Sequence, residues 1–228
     1  MKNFDVNDGG EWFLVHSGAV TNTNPGSMVE VTINTEKICH NMTNKEFREM
    51  VLSKRDRAVS LIDTRIEDLQ RWSNADKARV LQWFGRTDEG TRISLLTGLT
   101  AIARVLKALT GSNFTRWDSE RFKHIGCVPN SNKSGVAASV CSPDTVTHTI
   151  AIHPDFCTMR DFSWEKDSMV STLIHEASHF DDTMGTQGSQ ILHGGVFGVW
   201  SRKSESSNQQ CRQYCRIRHL QCLSLFLA

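Results

Sequence analysis

Prolines are few, no long apolar run occurs, and the charges nearly cancel. Four prolines in 228 residues, with 39% hydrophobic and 22% charged residues, exclude a collagen-like, proline-rich or disordered chain and describe a globular one. No stretch reaches the roughly eighteen consecutive apolar residues that a bilayer requires, so no membrane span is expected. The opening "MKNFDVNDGGEWFLVHSG" lacks the uninterrupted apolar core of a secretory signal, which points to a cytoplasmic chain or one delivered by a non-classical route. A net charge of +1 with interleaved signs gives no basic field, so no nucleic-acid partner is expected. The length fits one substantial core with an N-terminal appendage, and a monomer is the expected state.

Seven cysteines cannot all pair within one chain. Cys39, Cys127, Cys141 and Cys157 are disulfide candidates, whereas Cys211, Cys215 and Cys222 crowd into the tail. With His219 the tail cysteines have the residue types of a structural zinc site, but their spacing matches no closed zinc module.

Periodicity divides the rest. Residues 1–43 form a variable lead-in, with a short strand-like alternation at "VEVTIN", Val29 to Asn34. From Asn44, Phe47, Met50, Val51, Ala58, Leu61, Ile62, Ile66, Leu69 and Trp72 recur at three- and four-residue steps, the signature of an amphipathic helix. Ala75 to Gly85 gives a second helix, stopped by its glycine. A third runs from about Thr91 to Leu109, with Ile93, Leu96, Leu99, Ile102, Val105, Leu106 and Leu109 on one stripe. Between Cys127 and Cys157, turn residues surround "VTHTIAI", read as a small β-ribbon or edge strand from Val146. Met169 to Asp182 then predicts a final helix anchored by Leu173, Ala177 and Phe180. Trp72, Trp83, Trp117 and Trp164 are read as packing residues, and Arg48, Lys54, Arg55 and Arg57 as a solvated face. The fold class is α+β, mainly helical.

That last helix carries "HEASH". His175 and His179, four residues apart, project from one face a turn apart and can share one ion, with Glu176 beside them. In an HExxH pattern two neutral imidazoles ligate Zn2+ and the glutamate is the general base. A catalytic zinc takes a third protein ligand, and its position discriminates families. The third-histidine position of HExxHxxGxxH is occupied by Gly185, and the only distant glutamate after the motif is Glu205, in a Ser-rich stretch without helical pattern.

"HEASHF" followed by Gly185-Thr186, and preceded by "HTIAIHPDFC" and "STLIHEASHF", resembles the aspzincin zinc metallopeptidases, the deuterolysins and peptidyl-Lys metalloendopeptidases, with their HExxH and GTxDxxYG. The resemblance covers roughly Lys45 to Thr186. It implies a zincin-like metallopeptidase domain over residues 44–186, a zinc-dependent metalloendopeptidase activity on a protein or peptide substrate, often at lysine, and residence outside the cell for the family at large. It also implies a disulfide near Cys127 and Cys141. Without a signal peptide, two buried free thiols are the alternative there. In this chain the family's third ligand, an aspartate, falls on Gly188, and its tyrosine falls on Ile191. Neither side chain can coordinate metal or donate a hydrogen bond. In the text as written, Asp182, read as a continuation of the helix face, or His193, from a loop, are substitute partners. The alternative is a catalytically inactive, protease-like interaction module.

Residues 187–228 form an atypical tail with clustered Arg, Gln, Ser and Cys and no periodicity. "QQCRQYCRIR", Gln209 to Arg218, can be encoded so that reading one base later gives Asn-Asn-Ala-Asp-Asn-Ile-Ala-Glu-Tyr-Ala, similar to a segment downstream of the zinc site in that family. The same shift turns "QGSQIL" into Lys-Asp-Arg-Lys-Tyr-Tyr and restores Gly-Thr-x-Asp-x-x-Tyr. These coincidences point to a single-base frameshift near Thr186.

Overall fold

Thr43 opens the first helix. Its hydroxyl accepts from the Glu46 amide while the Glu46 carboxylate accepts from the Thr43 amide at 2.8 Å, closing a reciprocal cap on α1 (Asn44–Arg71). In the computed structural model, which describes residues 36–126, 135–164, 166–186 and 226, α1 ends at Trp72 in the left-handed conformation (φ 51°). Ser73 and Asp76 repeat the reciprocal cap on α2 (Asn74–Phe84), and Arg71 bridges Asp68 and Asp76 across the junction at 2.6 Å each. That guanidinium, with the Ser73 hydrogen bonds, holds the Asp76 carboxyl down at about 2. Gly85, at φ 70°, stops α2 as expected. Asp88 caps α3 (Glu89–Ala108) by accepting from the Thr91 amide at 2.9 Å.

The buried face of α1 is Phe47, Val51, Ala58, Ile62 and Leu69, close to the stripe read from the sequence. On α3 the stripe is rotated. Leu95, Leu99, Ile102, Val105 and Leu106 are buried, while Ile93 is 55% exposed, because the helix turns the Leu95 line toward α1. Phe226 reaches the same core and packs edge-on against Phe84 at 5.0 Å. Of the tryptophans assigned to packing, Trp164 stands 53% exposed, edge-on to Phe162, in the loop before the last helix.

Three short strands form one sheet in the order β1 (Phe114–Arg116), β3 (Ile150–Ile152), β2 (Ala138–Val140). β1 runs parallel to β3, pairing Phe114 with Ile150, and β2 runs antiparallel to β3, pairing Ala138 with Ile152. β3 is central and all three of its residues are buried, which explains its unbroken "IAI". The strand expected from Val146 starts only at Ile150. Asp144 diverts residues 144–149 into a turn, its carboxylate accepting from the Thr147 and Thr149 amides, while Val146 is 91% exposed and His148 is left-handed (φ 44°). A short helix, α4 (Glu120–His124), capped by Ser119, was not legible as a periodic pattern.

A disulfide joins Cys39 to Cys157 across 118 residues, fastening residues 36–43, read as lead-in, to the 3₁₀ turn Pro154–Thr158 after β3. Closing so long a loop removes denatured-state entropy worth about 2–5 kcal/mol. Cys141 is also disulfide-bonded rather than a free thiol, while Cys127 lies outside the described residues. No helix among the described residues is long and apolar enough to cross a membrane. The strand expected at Val29 to Asn34 and the tail cysteines lie outside the described residues.

Candidate active site

Helix α5 (Met169–Ser178) begins at Ser168, whose hydroxyl accepts from the Ser171 amide at 3.2 Å while the Ser171 hydroxyl accepts from the Ser168 amide at 2.8 Å. Met169, Val170, Leu173, Ile174 and Ala177 bury its apolar side against α1 and α3, and β2 packs beside it. One helix face thus builds the core, and the other carries His175 and Glu176. The helix ends at Ser178, four residues short of the expected Asp182, with His179 as its C-terminal cap still in helical conformation (φ −79°, ψ −22°).

The ending leaves the histidine pair intact. His175 and His179 stand with ring centroids 4.8 Å apart, edge to face. Glu176 is 94% buried and has no hydrogen bond among the described residues, its Oε1 lying 4.0 Å from His175 Nε2. Both side chains open onto a cavity of ≈ 530 Å³ whose other walls include Gly135, Ala138, Asp155 and Asp167. The edge strand β2 therefore forms one side of the cavity and α5 the other.

Electrostatics favour the neutral form of every member of this group. Burial, with His179 nearby as a lesser cause, pushes His175 down to about 4. Burial also lowers His179, against an opposing hydrogen bond to the Thr186 carbonyl. Burial alone pushes the Glu176 carboxyl up to about 8. At neutral pH the imidazoles hold free lone pairs, the form that ligates metal. A carboxyl buried without a partner is a group that a nearby cation would ionise.

His179 is held from its far side. Its Nδ1 donates to the Thr186 carbonyl, and the Thr186 hydroxyl donates to the Ser178 carbonyl at 3.0 Å, folding the chain back onto the helix end. A carbonyl only accepts, so the proton sits on Nδ1 and the Nε2 lone pair is the one presented elsewhere. Gly185, in the left-handed conformation (φ 56°), makes the turn that brings Thr186 back.

Asp182 does not join the pair. Because α5 stops at Ser178, Asp182 leaves the helix face, and its carboxylate binds His148 Nε2 at 3.0 Å and Arg104 at 2.8 Å. Among the described residues no third His, Cys, Asp or Glu gathers with His175 and His179 into a metal-binding group. His193, Glu205, Gly188 and Ile191 lie outside the described residues. Two imidazoles, neutral and adjacent, with a buried carboxyl beside them, fit two of the three donors of a catalytic zinc and its base. No protein-family model matches the chain, and neither curated proteins nor solved structures include a match to it.

Proposed function

We propose that the chain is a zincin-like, Zn2+-dependent metalloendopeptidase acting on a protein or peptide. The observation that carries the reading is the pair of neutral, adjacent imidazoles, His175 and His179, with His175 and a buried Glu176 lining one cavity and no hydrogen bond to the Glu176 carboxyl among the described residues. A bound zinc would supply Lewis-acid polarisation of a carbonyl and of water. His175 and His179 would hold it through their neutral rings. Glu176 would serve as the general base, taking a proton from the attacking water and returning it to the leaving amine as the peptide C–N bond breaks. Burial of Glu176, 6% exposed at the cavity wall, limits water around its carboxyl, which strengthens its interactions. The cavity volume falls in the range that accepts a small ligand or side chain. A preference for lysine rests on the aspzincin resemblance.

A second reading is supported by the lack of a third donor among the described residues, namely an inactive protease-like interaction module. The two separate by experiment. Tight one-to-one Zn2+ binding, with proteolysis that Glu176→Gln lowers by about 10²–10⁴-fold while zinc stays bound, is the result expected of the enzyme. Zinc binding absent from the purified chain favours the inactive module, and proteolysis unaffected by Glu176→Gln removes the proposed mechanism. The third ligand is assigned, in the same proposal, to the aspartate of the shifted frame after Thr186. Nucleotide sequence whose codons forbid that frame would refute this assignment.

A further inference from the structure

Asp182, displaced from the metal-facing side, sits at a junction of three separate parts of the fold. Its two carboxylate oxygens lie 3.0 and 3.2 Å from His148 Nε2, and Arg104 of α3 donates to its carboxylate at 2.8 Å and to its backbone carbonyl at 3.2 Å. His148 is aimed there by its left-handed backbone (φ 44°), and its ring also stands edge-on to Phe180 at 4.7 Å. The preceding amide, that of Asp181, donates to the Ser142 carbonyl at 2.9 Å. Two residues after Asp182, Met184 fills the notch at Gly98 of α3. A β-carbon placed on Gly98 would lie 2.3 Å from the Met184 methyl and 2.8 Å from its Cγ. The Thr183 hydroxyl donates back to the Ala177 carbonyl at 2.8 Å. Every residue from Asp181 to Met184 is thus tied either to α3, to the 142–148 turn or to the end of α5.

The tied segment delivers Thr186 to the site: its carbonyl accepts from His179 Nδ1, its hydroxyl oxygen lies 3.3 Å from the same nitrogen, and its amide donates to the Ser178 carbonyl at 3.2 Å. We infer that Asp182, gripped by Arg104 and His148, is a positioning residue that sets the tautomer and aim of His179 through the 180–186 turn, and so sets metal affinity without touching metal. Asp182 reaches no site atom itself. The turn is short, it is pinned on both sides, and Thr186 is its end. Removing the carboxylate takes away the His148 contact and the shorter of the two Arg104 contacts, and loosens the turn at its centre while Arg104 stays on the Asp182 carbonyl. Packing of the core face of α5 does not involve these groups, so the helix itself remains.

This inference rests on the proposed zinc site, and two readouts keep them distinct. In metal-free protein, imidazole 15N chemical shifts report the tautomer. His179 is expected as the Nδ1–H form in the unaltered chain and as a mixture in Asp182→Ala. Zn2+ affinity, measured by competition with a chromophoric chelator, is expected to fall about 10–100-fold in Asp182→Ala and in Gly98→Val, the latter expelling Met184. Asp182→Asn, which keeps an acceptor oxygen for His148 and Arg104, is expected to recover most of the affinity. Val80→Ala, a core cavity in α2, is the destabilised control and is expected to leave tautomer and affinity unchanged. An unaltered His179 tautomer and zinc affinity in Asp182→Ala would overturn the inference. Should the unaltered chain bind no Zn2+, the metal reading fails and the tautomer experiment alone decides the role of Asp182.

Discussion

The helical half, α1 to α3, and the half from Phe114 to Thr186 are built on different physics. In the first, each helix carries its own signals: a side-chain cap at the start, an apolar stripe along its length and, for α1 and α2, a left-handed residue at the end. In the second, ten-residue α5 is the longest element, the strands are three residues each, and the order comes from a polar turn at Asp144, a disulfide at Cys157 and the ties around Asp182. The helical half is a scaffold that could be written from local rules. The half that holds the site is held by pairings between distant residues, which leaves its chemistry adjustable while the scaffold stays fixed.

The largest effect expected from breaking this contrast is in the scaffold. Phe47→Ala removes a fully buried ring that packs edge-on to Phe114 at 6.2 Å, and is expected to destabilise the fold by about 3–5 kcal/mol in urea unfolding. Both halves should unfold together, since Phe47 lies on α1 and Phe114 on β1; separate transitions would show that the halves are independent.

A second, smaller effect belongs to the site alone. Folding raises the Glu176 pKa from 4.5 to about 8, so the folded metal-free chain binds the proton more tightly, and its stability falls as pH rises through that interval. His175, lowered from 6.5 to about 4, acts oppositely, stability rising with pH until about 6.5. Between 6.5 and 8 only the Glu176 contribution of this pair remains, worth about 2 kcal/mol at roughly 1.4 kcal/mol per pKa unit. Metal-free Glu176→Gln should lose that decline in urea titrations at the two pH values, and an identical decline in the variant would show that Glu176 is not the group responsible.

The smallest expected effect is local to the scaffold. Asp88→Ala deletes the cap of α3 and should cost about 1 kcal/mol, read as a lower thermal midpoint without change in zinc binding. A change in zinc affinity there would mean that α3, through Arg104, transmits strain to the site even from its far end.

How much could be read in advance follows the same division. The three helices were legible because a stripe repeats every three or four residues and caps lie within three residues of it. The rotation that exposes Ile93 was not, since Ile93 and Leu95 are equally apolar and only the position of α1 chooses between them. β1 and β2 escaped notice because three residues carry too little alternation to register. The strand expected from Val146 forms only over Ile150–Ile152, because the carboxylate of Asp144 outcompetes the ladder for the amides of Thr147 and Thr149.

At the site, the sequence alone determined that His175, Glu176 and His179 share one short stretch of helix, because a four-residue spacing fixes their relation whatever surrounds them. It also placed Gly185 and Thr186 close behind. Only the tertiary structure decided that α5 stops at Ser178, that Asp182 turns to Arg104 and His148 instead of the histidines, and that Glu176 is buried at a cavity shared with β2. The physical reason is range. Helix geometry acts over one turn, whereas Arg104 and Asp182 are 78 residues apart and meet only when α3 and α5 pack on the same core.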